Sequence, residues 1–267
     1  MKKHLKNSIA AVAMLAGGAT AALADQTYTL DPMAVSTQSA GGGLFATQFG
    51  APSAIIAPKN TGFVAAQLVD PRGGIKGSDK DGDISFGYTL GNPVSGVGVM
   101  LGMDITSVKA DKDFGDSGSF SLTLSRMLHA GPNSVTFGAI TGSGLGGWGS
   151  QKNNERASAY VTQMRFYDMG GKTLPVMWTL GYGQDAKYVG NGTSTKEDGF
   201  FWAFGVGATD FMSVSMSGTE NQANFGLGFR IPGVDGLSMS LGQYDITNNT
   251  NRTQTALSVA YSMKFGK

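Results

Sequence analysis

Once the first 24 residues are set aside the chain holds one histidine, His129, and it has no cysteine at all. A serine or cysteine hydrolase needs an imidazole beside a nucleophile in a cleft. His129 instead stands next to Gly131-Pro132, a turn signal, and reads as a rim residue. One histidine without thiols also leaves zinc catalysis short of ligands. The stretch Gly144-Leu145-Gly146-Gly147-Trp148-Gly149 matches G-x-G-x-x-G, and Gly142, Gly144 and Gly147 match it again in an overlapping frame. A dinucleotide site places that motif between a strand and a helix, whereas here it lies in a glycine-rich stretch with no helical pattern after it. Asp79, Asp81 and Asp83, with Gly82 between the last two, resemble the start of a calcium loop, but the bidentate Glu that should close it is missing. Asp111, Asp113 and Asp116 in the next long connection read as a solvated acidic loop. The residue types therefore offer no covalent chemistry and imply no cofactor.

The elements that carry these residues are announced by the N-terminus. Lys2, Lys3 and Lys6, an apolar run over residues 9–16 and Ala22-Leu23-Ala24 before Asp25 form a secretory signal peptide. The run is far short of the roughly 20 apolar residues of a membrane-spanning helix. Taking three lysines from 20 basic residues leaves 17 against 19 acidic ones, with no clustered basic face for nucleic acid. The 41 glycines, 13 methionines and few charges are unusual for a soluble globule and ordinary for a sheet embedded in lipid.

From Thr61 onward short segments alternate strictly between large apolar and small residues, which is the period of a strand. In the last, Thr255, Leu257, Val259, Tyr261, Met263 and Phe265 share one face, and Ala256, Ser258, Ala260, Ser262 and Lys264 the other. An aqueous sandwich would carry charges on its second face. Large side chains toward lipid and small ones toward a lumen fit a membrane barrel, and in lipid such a sheet has to close. Twelve segments are expected, near 61–70, 83–90, 94–107, 118–128, 134–143, 157–167, 174–184, 198–208, 211–219, 222–231, 237–247 and 253–265. The expected fold is all-β, a closed antiparallel transmembrane β-barrel of about 12 strands over residues 61–267. Long connections alternate with tight ones such as Gly91-Asn92-Pro93 and Gly131-Pro132-Asn133, which places both termini on the periplasmic side. Tyr88, Trp178, Tyr182, Trp202, Tyr261 and Phe265 fall on the lipid parity as aromatic girdles. Residues 25–60 lack the pattern. The Gly41-Gly42-Gly43 linker and the apolar patch Pro52, Ala54, Ile55, Ile56 and Pro58 suit either a plug in the lumen or a periplasmic tail.

On these features the chain resembles the small Gram-negative outer-membrane β-barrels, a group that includes specific channels, a protease and a phospholipase. The resemblance covers residues 61–267. It implies outer-membrane lipid as surroundings and delivery by the barrel-assembly machinery, whose terminal signal is similar to the Val259, Tyr261, Met263, Phe265 series; here Gly266 and Lys267 follow the last aromatic. Parity assigns Asp104, Gln163, Arg165, Arg230, Tyr244 and Lys264 to the lumen. Arg165, Arg230 and Lys264 fall near periplasmic strand ends, where a ring of them would favour small anionic solutes. The expectation is a porin-like channel for passive diffusion; a closed structural or surface-interaction barrel is the alternative, and a hydrolase is disfavoured by the single histidine.

Overall fold

The computed structural model describes residues 46–71, 81–106, 114–170, 172–189 and 195–266. Residues 1–24, expected to be a signal peptide, the Gly41–Gly43 stretch, Asp79, Asp111 and Asp113 lie outside them. The chain forms twelve strands: β1 (Thr61–Val69), β2 (Asp81–Gly91), β3 (Gly98–Ile105), β4 (Gly118–Gly131), β5 (Ser134–Trp148), β6 (Arg156–Asp168), β7 (Thr173–Tyr188), β8 (Lys196–Gly207), β9 (Met212–Thr219), β10 (Ala223–Arg230), β11 (Leu237–Tyr244) and β12 (Gln254–Lys264). Each pairs antiparallel with its sequence neighbours, and β1 pairs with β12 from Thr61↔Lys264 to Val69↔Ala256, which closes the barrel. Closure leaves no unpaired edge, the condition for backbone in hydrocarbon.

The twelve expected segments each coincide with one strand. The larger differences are in length. β5 continues to Trp148 and β7 to Tyr188, beyond their expected ends at 143 and 184. Gly144 and Gly146, at φ of +71° and +55°, let β5 continue through a shift of register against β4, since glycine adopts such angles without a Cβ clash. The G-x-G-x-x-G match therefore sits on the outer end of a strand and one 3-10 turn, Gly149–Gln151, with no helix to receive a phosphate.

The outward face is apolar. Leu257, Val259, Tyr261 and Met263 are 37–46% exposed while Ala256 is fully buried, and Phe86, Leu101, Trp178, Leu180, Trp202, Phe204 and Leu241 are exposed in the same way. An exposed apolar belt of this extent around the barrel is a lipid-facing surface. Inside, the strand ends carrying the short turns enclose a packed cluster of Met127, Val135, Phe137, Tyr160, Met164, Phe166 and Met177 around Ala54.

Candidate functional site: the lumen and the segment inside it

Residues 46–60 run inside the barrel before β1 begins. Near the short-turn end Thr47 Oγ1 lies 2.5 Å from Ser213 Oγ. Further along, the Phe49 N–H donates to Ser215 Oγ at 3.1 Å and the Ser217 hydroxyl donates to the Phe49 carbonyl. The chain turns at Gly50, where φ is +76°, and descends along the opposite wall. There the Ala54 N–H donates to Thr162 Oγ1 at 2.8 Å and the Ser125 hydroxyl donates to the Ala54 carbonyl. The Thr89 hydroxyl then donates to the Pro58 carbonyl, and β1 starts at the short-turn end. The segment is thus a finger whose two limbs are held at the same mouth and whose tip points toward the long loops.

The wall is shaped for it. Alternation puts Ser213, Ser215 and Ser217 of β9 on the inner face as hydrogen-bond partners for a passing backbone. Beside them β10 carries glycines. A Cβ on Gly226 would stand 2.2 Å from the Phe49 Cβ, and one on Gly228 2.2 Å from Thr47 Oγ1. On β8 a Cβ at Gly205 would stand 2.1 Å from the Thr47 carbonyl oxygen, and on β11 one at Gly242 would meet the Phe49 ring at 2.6 Å. Glycine within a strand marks close approach by another backbone, and here that backbone is the finger. The two limbs are also linked through the wall. Thr162 receives the Ala54 N–H and lies 2.6 Å from Thr179 Oγ1, whose hydroxyl donates to Gln48 Oε1 at 2.7 Å. Because Thr179 gives its single proton to Gln48, Thr162 must donate to Thr179.

Above the fingertip lies a cavity of about 790 Å³, floored by Gly50 and Pro52 and reaching Gln222, Arg252 and Gln254 at the long-loop end. Four charged side chains line it among the described residues: Asp83, Arg156, Asp185 and Arg252. Arg156 Nε lies 3.1 Å from Asp185 Oδ2. The Arg252 guanidinium stacks 4.0 Å from the Tyr188 ring centre. Its backbone N–H is one of five donors that converge on the buried Asp245 carboxylate, with those of Thr247, Asn249 and Thr250. This carboxylate holds the 245–253 connection in shape, and the connection holds Arg252 over the cavity.

Of the residues assigned to the lumen by parity, Asp104, Arg230 and Tyr244 face inward. Asp104 accepts from the Ser85 hydroxyl at 2.6 Å, and the Tyr244 ring lies 4.7 Å from Phe49. Lys264 shares the inward register at the last step of β12, where it is exposed at the mouth. Gln163 and Arg165 are corrections: both face outward. Tyr160, Thr162, Met164 and Phe166 occupy the inner face of β6, since the lumen at this level is filled by the apolar cluster around Ala54, so the large residues point in. Outside, Gln163 accepts from Trp178 Nε1 at 3.1 Å and the Arg165 guanidinium lies 5.2 Å from the Tyr167 ring centre. The three-cation ring is therefore absent, and Arg230 and Lys264 remain. Asp81 and Asp83 belong to β2, and Asp83 lines the cavity. Both stand on extended backbone, which is not the turn of a calcium loop, and Asp79 lies outside the described residues. His129 is exposed beside the β4–β5 turn, as a rim residue should be.

The finger seat and the cavity were not named from sequence. The seat left a signal in the run of small residues on one parity of β9 and β10. The cavity charges left none, because Arg156, Asp185 and Arg252 fall in stretches that read as connections.

The chain matches no protein-family model and no curated protein. Among solved structures it is similar to the NanC porin, with a TM-score of 0.49 and 9% identity over 76% of this chain and 100% of that one. The outer membrane protein Omp33 of Acinetobacter baumannii gives 0.45 and 8% over 78% and 99%. The β domain of the Bordetella autotransporter BrkA gives 0.40 and 11% over 76% and 99%. Likenesses of this size carry no functional argument.

Proposed function

We propose that the protein is an outer-membrane, porin-like channel for passive diffusion of small solutes, closed at its periplasmic mouth by residues 46–60. The observation that carries this reading is the polar cavity of about 790 Å³, which reaches Gln222, Arg252 and Gln254 toward the long-loop end and stops on a segment held by hydrogen bonds. A structural barrel has no need of a polar cavity, and a permanent wall has no need of a hydrogen-bonded seat. The signal peptide and the alternation of short turns with long connections support the outer membrane, reached through the barrel-assembly machinery. With one rim histidine the protein works without covalent chemistry. Selection among solutes rests on bore and polar lining; with Arg165 outside, Arg230 and Lys264 give the inner mouth only a weak bias toward anions.

The packed cluster beneath the fingertip favours one second reading, a barrel that never conducts. Planar-bilayer recording separates the two. Low conductance in the whole protein that rises when residues 25–57 are deleted supports the channel. A folded deletion variant that conducts no more than the whole protein leaves the structural barrel.

A further inference from the structure

We infer that the outer cavity is a binding site for an uncharged, polyhydroxylated solute of about disaccharide size. This names the solute class of the proposed channel and rests on that reading for its transport role only. The volume, about 790 Å³, lies within the 300–1,000 Å³ of small-molecule sites.

The chemistry of the lining excludes the other solute classes. Among the described residues the lining holds two acids and two bases, so it carries no net charge to hold an ion. Those charges are also committed. Arg156 is engaged by Asp185, Arg252 lies over Tyr188, and Asp83 has interactions of its own. An anion would have to displace one of these partners, and a cation likewise. An apolar solute would strip water from half-buried amides and hydroxyls without replacing their hydrogen bonds, which disfavours it.

What the wall does offer is amide groups with one end fixed. Gln184 Oε1 accepts the Ala157 N–H at 2.9 Å, which aims its NH2 group at the cavity as a donor. Gln254 Nε2 donates to the Asp70 carbonyl at 2.7 Å, which leaves its Oε1 as an acceptor. Gln222 lines the same space and brings one group of each kind. A hydroxyl both donates and accepts, so a solute with many hydroxyls can satisfy donors and acceptors together, where a carboxylate satisfies donors alone. Tyr244 and Phe201 add ring surface for the carbon face of such a solute.

The test is calorimetry and saturation-transfer NMR on the whole protein in detergent, with sucrose, glucuronate and inorganic phosphate as probes. Sucrose is expected to bind and to show saturation transfer, and glucuronate and phosphate to bind at least tenfold more weakly. Gln222→Leu and Gln184→Leu, each checked for the heat-dependent gel shift of a folded barrel, are expected to weaken sucrose binding about tenfold, the scale of one lost hydrogen bond. Gln222 lies in the three-residue β9–β10 connection, where its backbone carbonyl accepts the Thr219 N–H and its side chain can change without touching that bond, so its variant tests the site even where Gln184→Leu fails to fold. Absence of sucrose binding, anions binding as tightly as sucrose, or a folded Gln222→Leu variant that binds as the parent does would overturn the inference. Conductance is read in parallel. Sucrose binding in a protein that never conducts keeps the site and removes the channel; conductance without sucrose binding keeps the channel and removes the site.

Discussion

Gly226→Ala puts a methyl group where the finger already stands. The new Cβ would be 2.2 Å from the Phe49 Cβ and 2.6 Å from the first carbon of its ring, against the roughly 3.5–4.0 Å at which carbon atoms pack. The finger must retreat by about 1.5 Å, which takes the Phe49 N–H beyond hydrogen-bonding reach of Ser215 and loosens the Ser217 contact to the Phe49 carbonyl. Two neutral hydrogen bonds at about 0.5–1.5 kcal/mol each give about 2 kcal/mol, in the range for overpacking a fitted site. That amount multiplies the population of the undocked finger about thirtyfold. The strand itself does not suffer, because alanine is no worse than glycine in a β-ladder. The assay is chymotrypsin digestion of folded protein, with mass spectrometry of cleavage after Phe49, which is only 6% exposed. Conductance is recorded alongside. Gly138→Ala serves as control, since its Cβ would meet only the outward Leu128 side chain. Faster cleavage and higher conductance are expected for Gly226→Ala and neither for the control. If the two folded variants are cut and conduct alike, the glycines do not seat the finger and the reasoning fails.

Val259→Arg, facing lipid near the middle of β12, should cost about 2–4 kcal/mol of folding free energy in vesicles, and Ser258→Arg clearly less; equal losses would refute the assignment of faces. Thr162→Val should leave the Ala54 N–H buried without an acceptor at a cost of about 1–3 kcal/mol, seen as a lower melting temperature and easier cleavage of the finger. Asp245→Ala removes the acceptor of five donors, so the 245–253 connection should become sensitive to protease while the gel shift of the barrel persists. Arg165→Glu should leave the reversal potential of the conducting deletion variant unchanged; a shift would place Arg165 in the lumen after all.

Strand number, order and lipid parity were legible because most strands repeat one contrast, large against small, with period two. β12 and β9 state it without ambiguity. β6 did not, since its lumen-facing residues are Tyr160, Met164 and Phe166, which are large because they meet the finger and its cluster, and the same contrast then read backwards for Gln163 and Arg165. Strand ends were less legible than strand centres. Alternation fades where β5 and β7 pass out of the apolar zone, and glycines at positive φ look like loop residues while they continue a ladder. The cavity was hidden for a related reason: Asp185 belongs to the projecting end of β7, Arg156 opens β6 and Arg252 sits in the 245–253 connection, all where the alternation is absent.

The path of residues 46–60 has a topological consequence. Among the described residues both limbs, at Thr47 and at Pro58, stand near the short-turn end, so the segment forms a bight with its bend at Gly50. Withdrawal needs no free terminus and no parting of the β1–β12 seam. The obstacle is a set of hydroxyl contacts, the Phe49 ring and the packing of Ala54 in the apolar cluster, none of them covalent, so the same molecule can close again after it opens.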